Sequence, residues 1–350
     1  MKLGIVVNGI KGEMDDYTTT HLAMAATNLG HEVWYMGVAD FAYDPDENAH
    51  ARARSVPLRR YRSTSAYLNR LRSSEAQVRR ITLEELDLLL LRNDPAEDVI
   101  RRPWARLAGI NISRLAMRHG VIVVNDPDGL AQAMNKMYLQ YFPEQARPAT
   151  LITRDRQEIK AFIKDQGGYG VLKPLSGSGG HNVFLVRPDE EANINQMIEA
   201  VSAEDYVIVQ EYLPEAAKGD TRLFLVNGEP LQHQGKYAAL HRARLPGDGD
   251  MRSNMTAGAV SHPASVDEGM LQLAEMVRPK LVQDGMFLVG LDIVGNKLME
   301  INVFSPGGLY SAERFTGVHF SRQIIHALEQ KVEHVRRYHH RISNREIAML

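Results

Sequence analysis

Short apolar runs punctuate the first third of the chain, while alternating runs dominate the last, and the two patterns predict different architectures. Leu3–Val7, Glu32–Met36, Leu86–Leu91 and Val121–Val124 are bounded by turn formers and predict buried strands. Thr18–Leu29, stopped by Gly30, predicts a helix, and so does Trp104–His119, with Pro103 before it and Gly120 after it. Strands alternating with helices predict a parallel, doubly wound sheet. Ligands of such sheets sit beyond the carboxyl ends of the strands, which points to Asn8–Asp16 and Arg92-Asn93-Asp94-Pro95. No G-x-G-x-x-G follows the first strand, so a dinucleotide site is disfavoured.

The middle of the chain predicts a compact α+β lobe. Strand Thr150–Thr153 and a helix from Asp155 lead to strands Tyr169–Leu175 and His181–Val186, then helix Glu190–Val201 and strand Tyr206–Leu213. Asp128 is expected to cap a preceding helix that carries Lys136. Further on, Asn227-Gly228 predicts a type I′-like hairpin turn between Leu223–Val226 and Glu229–His233. Ser265-Val-Asp-Glu268 reads as a capping box opening a helix towards Gly285, kinked or split by Pro279, and a last helix covers about Phe320–Val335. The fold class is α/β with α+β. The expected units are residues 1–125, 126–213 and 214–335, followed by a polar tail, 336–350.

Chemistry concentrates in Gly290–Gly308, where acids and an amide alternate with apolar residues. Glu300 and Asn302 share one face of a strand, because the side-chain period is two. Asp292 lies on the preceding strand, across the turn at Gly295-Asn296. A two-residue turn alone puts Asp292 on the opposite face; a three-residue loop or a bulge gathers all three oxygen donors on one. Such hard ligands on a rigid sheet suit Mg²⁺; the alternative is a half-exposed hairpin with solvated acids. Ser176-Gly177-Ser178-Gly179-Gly180 follows the strand carrying Lys173, so its amides and the ammonium can hold phosphates. It is not a Walker A motif, since no G-K-[ST] is present. Arg244–Asn254, rich in turn formers, reads as a mobile lid.

Composition narrows the function classes. Net charge is −2 with 24% charged residues, which gives no global field for nucleic acid. Nine arginines between Arg52 and Arg80 face one acid, Glu75, but aromatic interleaving is slight, so a solvated helix and loop is expected there. No apolar run reaches a membrane span's length and no signal-peptide pattern opens the chain. The absence of cysteine excludes disulfides, thiolate metal sites and a cysteine nucleophile, and is compatible with the cytoplasm. The tail's His339-His340 is read as solvated.

In order along the chain stand Val124-Asn125-Asp126-Pro127 before Lys136, then Leu172-Lys173-Pro174-Leu175-Ser176-Gly177-Ser178-Gly179-Gly180 and Gln210-Glu211-Tyr212-Leu213-Pro214. They are followed by Lys218-Gly219-Asp220-Thr221-Arg222, Arg252-Ser253-Asn254, and Gly290-Leu-Asp292 through Glu300-Ile-Asn302-Val303. With these motifs the chain, from about Lys2 to Lys331, resembles the ATP-grasp carboxylate–amine ligases, most of all the bacterial glutathione synthetases. The resemblance implies an ATP-grasp fold behind an N-terminal pre-ATP-grasp domain, and an acyl-phosphate mechanism using ATP and Mg²⁺, or Mn²⁺ in its place. It further implies that Lys136 and Lys173 contact the phosphates, that Gln210, Glu211, Tyr212 and Leu213 hold the adenine, and that Asp220 lies near the ribose. Asp292, Glu300 and Asn302 would hold two metal ions. Arg222 and Asn254 would face the transferred phosphate and the acyl group, and Arg252 would belong to the closing loop.

The implied reaction joins γ-glutamylcysteine to glycine. After Ser305-Pro306, however, the family pattern carries Thr-Cys where this chain has Gly307-Gly308, and His233–His241 looks like an insertion. Ser305, Gly307, Gly308 and Arg244 are therefore expected at a substrate pocket that differs from the family's. Another small-peptide ligation and protein-tail glutamylation are the alternatives. Outside enzymes, the alternative is a catalytically silent, ATP-binding regulatory protein. The expected partners are small peptides and amino acids and a second copy of the chain, in a dimer or tetramer, with no nucleic acid or membrane.

Overall fold

The computed structural model describes residues 1–99, 101–176, 181–188, 193–203, 205–243, 259–338 and 342–350. Three sheets carry the fold. The first contains β1 (Lys2–Val7), β2 (Glu32–Gly37), β3 (Phe41–Tyr43), β4 (Ala49–Ser55), β5 (Gln77–Thr82), β6 (Leu88–Leu91) and β7 (Ile122–Val124). Its order is β3-β4-β2-β1-β6-β7, with β5 paired to β4. The neighbours β2-β1-β6-β7 are parallel, as the apolar runs predict, and both faces are buried. Leu3, Ile5 and Val7 pack with α1 (Thr18–Asn28) and α2 (Thr64–Arg72) on one side. Val6, Leu89 and Leu91 pack towards α3 (Ala108–Arg118) on the other.

The arginine-rich segment departs from its expected helix and loop. Residues 49–55 form a strand whose alanines point inward and whose His50, Arg52 and Arg54 point outward, and β5 completes an antiparallel extension of the sheet. Small Ala side chains give a weak apolar signal, so the period of two is legible there only in the charges. Between these strands lies α2, and its Arg72 donates to the backbone oxygens of Lys11 and Glu13.

Lys136 is also placed differently from expectation. Asp126, not Asp128, caps α4 (Pro127–Gln132), and Lys136 opens a separate 3-10 turn capped by Asn135. The short helix brings Gly129 so close to Asp284 that an added Cβ would lie 1.9 Å from its carbonyl oxygen. Asp284 is in turn held by the Tyr138 hydroxyl and the Lys280 ammonium, each at 2.7 Å.

The second sheet holds β8 (Thr150–Thr153), β9 (Gly170–Pro174), β10 (Phe184–Val186) and β11 (Val207–Gln210) in the order β10-β9-β11-β8. Covered by α5 (Arg156–Asp165) and α6 (Ile194–Ser202), it has an apolar cluster of its own around Ile159, Leu172, Ile198 and Val209. The third sheet holds β12 (Asp220–Val226), β13 (Glu229–Pro230), β16 (Ala239–Ala243), β17 (Val260–Pro263), β18 (Leu288–Val294) and β19 (Lys297–Asn302), with the small pair β14 (Gln232–His233) and β15 (Lys236–Tyr237) beside it. Positive φ at both Asn227 and Gly228 matches the predicted hairpin turn.

On one face of the third sheet, Leu223, Leu291 and Ile293 pack against α7 (Glu268–Gln283). That helix runs unsplit through Pro279 and is capped by Asp267 rather than Ser265. The other face packs Phe224, Leu240 and Leu288 into the first sheet's cluster through α8 (Leu309–Thr316) and α9 (Phe320–Tyr338); α10 (Asn344–Ala348) follows. Asn125, after β7, joins the sheets directly: its side chain accepts from Leu288 N at 2.8 Å and donates to Leu288 O at 3.1 Å.

The Gly129 contact yields a stability prediction. Gly129→Ala should overpack the α4–Asp284 contact and cost about 1–3 kcal/mol, measured as a lower urea midpoint. An unchanged midpoint would show that this contact yields freely.

Candidate active site

The polar face of the third sheet is set by register. Asp220 pairs with Arg242, Arg222 with Asp292, Asp292 with Glu300, and Gly290 with Asn302. The β18–β19 turn has only Gly295 and Asn296 at its tip, since Val294 pairs with Lys297 and Ile293 with Leu298. The register then shifts beyond Ile293, leaving Met299 as the extra residue of a bulge. That one residue puts Asp292, Glu300 and Asn302 on the same face.

Asp292 is only 3% exposed and fully engaged. Arg222 donates to it in a fork, Nε to Oδ1 and Nη2 to Oδ2, both at 2.7 Å. Oδ2 also accepts from Arg242 Nη2 at 2.8 Å and from Asn302 Nδ2 at 3.1 Å. Burial alone pushes the carboxyl up, but Arg222 and Arg242 outweigh it and hold Asp292 well below the usual carboxylate range. Arg242 makes a second fork to Asp220, at 2.7 and 2.9 Å. The third Arg222 nitrogen, Nη1, donates to Gly307 O at 3.2 Å.

A cleft opens beside this face. Lys173, Leu175, Ile208 and Gln210 line it from the second sheet, Met299–Ser305 from the third, and Asp94–Ala96 from the end of β6. Asn135 and Lys136 line the remaining side. Lys173 Nζ donates to Gln210 Oε1 at 2.5 Å. Burial pushes Lys173 down to about 8, Glu300 acting against the shift and Lys136 with it. Burial pushes the Asp94 carboxyl up, and Glu300 adds to the shift. Leu175, Ile208, Met299 and Ile301, with Lys136 and Lys173 in the same lining, suit a planar base and its phosphates. The oxygen donors Asp292, Glu300 and Asn302 fit a hard divalent cation.

The sequence-predicted residues divide into three groups. Lys136, Lys173, Gln210, Glu300, Asn302 and Ser305 converge on the cleft, with Asp292, Asp220 and Arg222 on the adjoining face. Glu211, Tyr212 and Leu213 follow β11 without lining the cleft; Glu211 is tied to Ala149 and Tyr212 stacks on Tyr169. Ser176 donates to Asp205 Oδ2 at 3.0 Å. Gly177, Ser178, Gly179, Gly180, Arg244, Arg252 and Asn254, with the expected lid, lie outside the described residues. Gly308 is required as glycine: its φ is +98°, and a Cβ would meet Leu240 at 2.9 Å. At Gly307 a Cβ would meet nothing within 4 Å among the described residues. Arg242 escaped sequence reasoning, because residues 233–241 were read as an insertion and not as the approach to a strand. Ala-Leu-His-Arg-Ala at 239–243 carries no clear alternation, and only the pairing with β12 aligns Arg242 with Asp220.

Models of two families cover the chain: the prokaryotic glutathione synthetase N-terminal domain over residues 1–131, and the prokaryotic glutathione synthetase ATP-grasp domain over 135–317. The glutathione synthetase of Vibrio parahaemolyticus is 30% identical over 341 residues, covering 95% of this chain and 99% of its own. Among solved structures, the D-cycloserine synthetase DcsG shares the fold with a TM-score of 0.64 at 14% identity, over 94% of this chain and 99% of that one. The ATP-grasp ligase PsnB, complexed with minimal precursor, Mg and ADP, shares it at 0.58 and 14% identity, over 94% and 98%. Matched along both family models and to a full-length relative, the chain belongs to the prokaryotic glutathione synthetase family.

Proposed function

We propose that this protein is an ATP-dependent carboxylate–amine ligase that joins γ-glutamylcysteine to glycine through an acyl phosphate, with Mg²⁺ as its metal. The observation that carries the reading is the bulge at Met299, which aligns Asp292, Glu300 and Asn302 beside Arg222 and next to the lysine-lined cleft. A peptide carboxylate is a poor electrophile, and phosphorylation makes it one. Such a transfer needs fixed positive charge around dispersed negative charge, not a protein nucleophile.

In this reading Lys136 and Lys173 bind the nucleotide phosphates, and Gln210 orients Lys173. Asp220, paired with Arg242, lies near the ribose. Arg222, fixed by Asp292 and by Gly307 O, presents its guanidinium to the phosphoryl group and the acyl oxygen. Asp292, Glu300 and Asn302 hold the divalent metal, which when bound neutralises the phosphate oxygens. Arg244, Arg252 and Asn254 belong to the covering loop that excludes water from the intermediate. Assembly as a dimer or tetramer is part of the same proposal, and light scattering tests it. A second reading rests on Gly307, where an added side chain would meet no described residue within 4 Å: the acceptor is an amine larger than glycine.

Glu300→Gln replaces a half-buried acid by a near-isostere. Phosphate release with γ-glutamylcysteine and glycine should fall about a thousandfold, the loss of several kcal/mol of transition-state stabilisation, while the urea midpoint stays unchanged. A variant with wild-type turnover would remove Glu300 from the metal site.

Phosphates should raise the pKa of Lys173 from its depressed value near 8. Above pH 8 the free enzyme then carries fewer protons than the complex, so ATP affinity falls as pH rises and binding takes up a fraction of a proton. Calorimetry at pH 8.5 in buffers of different ionisation enthalpy measures this, and the absence of uptake counts against the assignment.

Gly307→Thr should keep glycine as an acceptor and lose any larger amine that the wild type accepts. A screen of the twenty amino acids with γ-glutamylcysteine, on both proteins, decides between the two acceptor readings.

A further inference from the structure

Residues 280–285, Lys-Leu-Val-Gln-Asp-Gly, place an acid where a helix end disfavours one. Asp284 is the C-cap of α7, and a carboxylate there opposes the partial negative charge of the helix terminus. Lys280, one turn back, offsets it by donating to Oδ1 at 2.7 Å. The second oxygen, Oδ2, accepts from the Tyr138 hydroxyl at 2.7 Å. Burial, with Asp284 beside it, pushes the Tyr138 phenol up, so the hydroxyl keeps its proton and is the donor. Asp284 and Tyr138 are 1% and 3% exposed, so little water competes for this bond.

Tyr138 belongs to the 3-10 turn Lys136–Tyr141, two residues after Lys136. With three residues per turn, the two side chains leave the turn in different directions. The Tyr138 hydroxyl reaches the end of α7, and Phe142 packs edge-on against its ring at 5.1 Å. Lys136 lines the cleft. A backbone bond, Lys136 N to Leu175 O at 3.0 Å, ties the same turn to the second lobe just beyond β9. Lys136 therefore stands at the joint between that lobe, which has its own core, and the platform of the first and third sheets, which share theirs. On the platform side, Asp284 and Gly285 lead into β18, the strand that carries Asp292. Gly285 O also accepts from Asp126 N at 3.0 Å, at the start of α4.

We propose that Tyr138 is the positioning residue of Lys136: its bond to Asp284 fixes the Lys136 turn to the platform that carries Asp292 and Glu300. The inference rests on the nucleotide assignment made above and deepens it. A lysine ammonium rides on a flexible four-carbon stem, so the placement of its backbone sets where it can act. With the turn anchored at Asp284, a change in the lobe's angle moves Lys173 and leaves Lys136 in place. The two lysines then grip the polyphosphate from different bodies, Lys136 at a fixed distance from the acids and Lys173 arriving with the lobe.

ADP and adenosine are the probes, because adenosine lacks the phosphates that Lys136 would hold. Calorimetry on the full chain with Mg²⁺ measures ADP, and competition against ADP measures adenosine. Tyr138→Phe should weaken ADP about tenfold, the scale of one hydrogen bond to a charged group, and leave adenosine unchanged. In a Lys136→Met background the same substitution should change ADP affinity by less than about twofold, since it acts through that lysine. Lys280→Met removes the partly exposed end of the same chain of contacts and serves if the buried variant does not fold. It should shift ADP in the same direction, leave adenosine alone, and lose its effect in the Lys136→Met background. ADP and adenosine weakened alike would indicate a merely structural role and overturn the proposal. A loss of ADP affinity that persists undiminished without Lys136 overturns it too. Wild-type ADP binding that neither variant alters removes the positioning role alone, whereas a wild type that binds no ADP removes the nucleotide assignment and the positioning with it.

Discussion

Asp292 and the guanidinium of Arg222 form the contact on which the site depends. The pair faces across neighbouring strands in direct register, and its fork geometry fixes both heads. Removing either partner would leave a buried charge without compensation, which is far more costly than never having buried the pair. The same constraint orders its neighbours. Arg242 is held between Asp220 and Asp292, Asn302 donates to the oxygen that Arg242 shares, and Arg222 reaches out to Gly307. Register error by one residue would send these groups to the α7 side. Correct pairing and a competent site are therefore the same structural event.

The cores explain why this site faces a cleft. The second sheet closes its own apolar cluster, while the first and third share theirs through α9 and the strand ends. Lys173 and Gln210 thus project from a separately packed lobe towards acids held on a joint platform. A lobe with its own core can change its angle without exposing the platform's interior. Ligands entering between the two meet apolar walls from both sides.

Much of this was legible along the chain, for identifiable reasons. The parallel strands announce themselves as short β-branched and leucine-rich runs because both their faces are buried. The hairpin at Asn227-Gly228 is legible because both central residues need positive φ, which Asn and Gly tolerate. The Asp292–Glu300–Asn302 face was legible only as a fork between two turn geometries, since no local signal says that Met299 bulges. Lys136 was assigned to the helix before it because a 3-10 turn after a short α-helix leaves no distinct period. Ala49–Ser55 and Arg242 were missed for a shared reason: strands built from alanine and arginine lack the apolar weight that periodicity reading relies on, and only cross-strand partners reveal them.

Charge closes the argument for what the cleft receives. Lys136, Lys173, Arg222 and Arg242 stand against Asp94, Asp220, Asp292 and Glu300, so the described part of the site is nearly self-neutralised. A free polyphosphate would unbalance such a site, and so would a bare divalent cation. The two together bring nearly cancelling charge, and the arrangement can redistribute its pairs without stranding any member. The pairs at Asp292 are unevenly shared: among the described residues Oδ2 accepts from Arg222, Arg242 and Asn302, whereas Oδ1 accepts from Arg222 alone. Asp292, Glu300 and Asn302 would hold a divalent cation there, its charge offsetting that of the phosphates, and Arg222 and Arg242 would offer guanidinium donors to phosphate oxygens. On charge alone, metal and nucleotide together would suit this site better than either by itself.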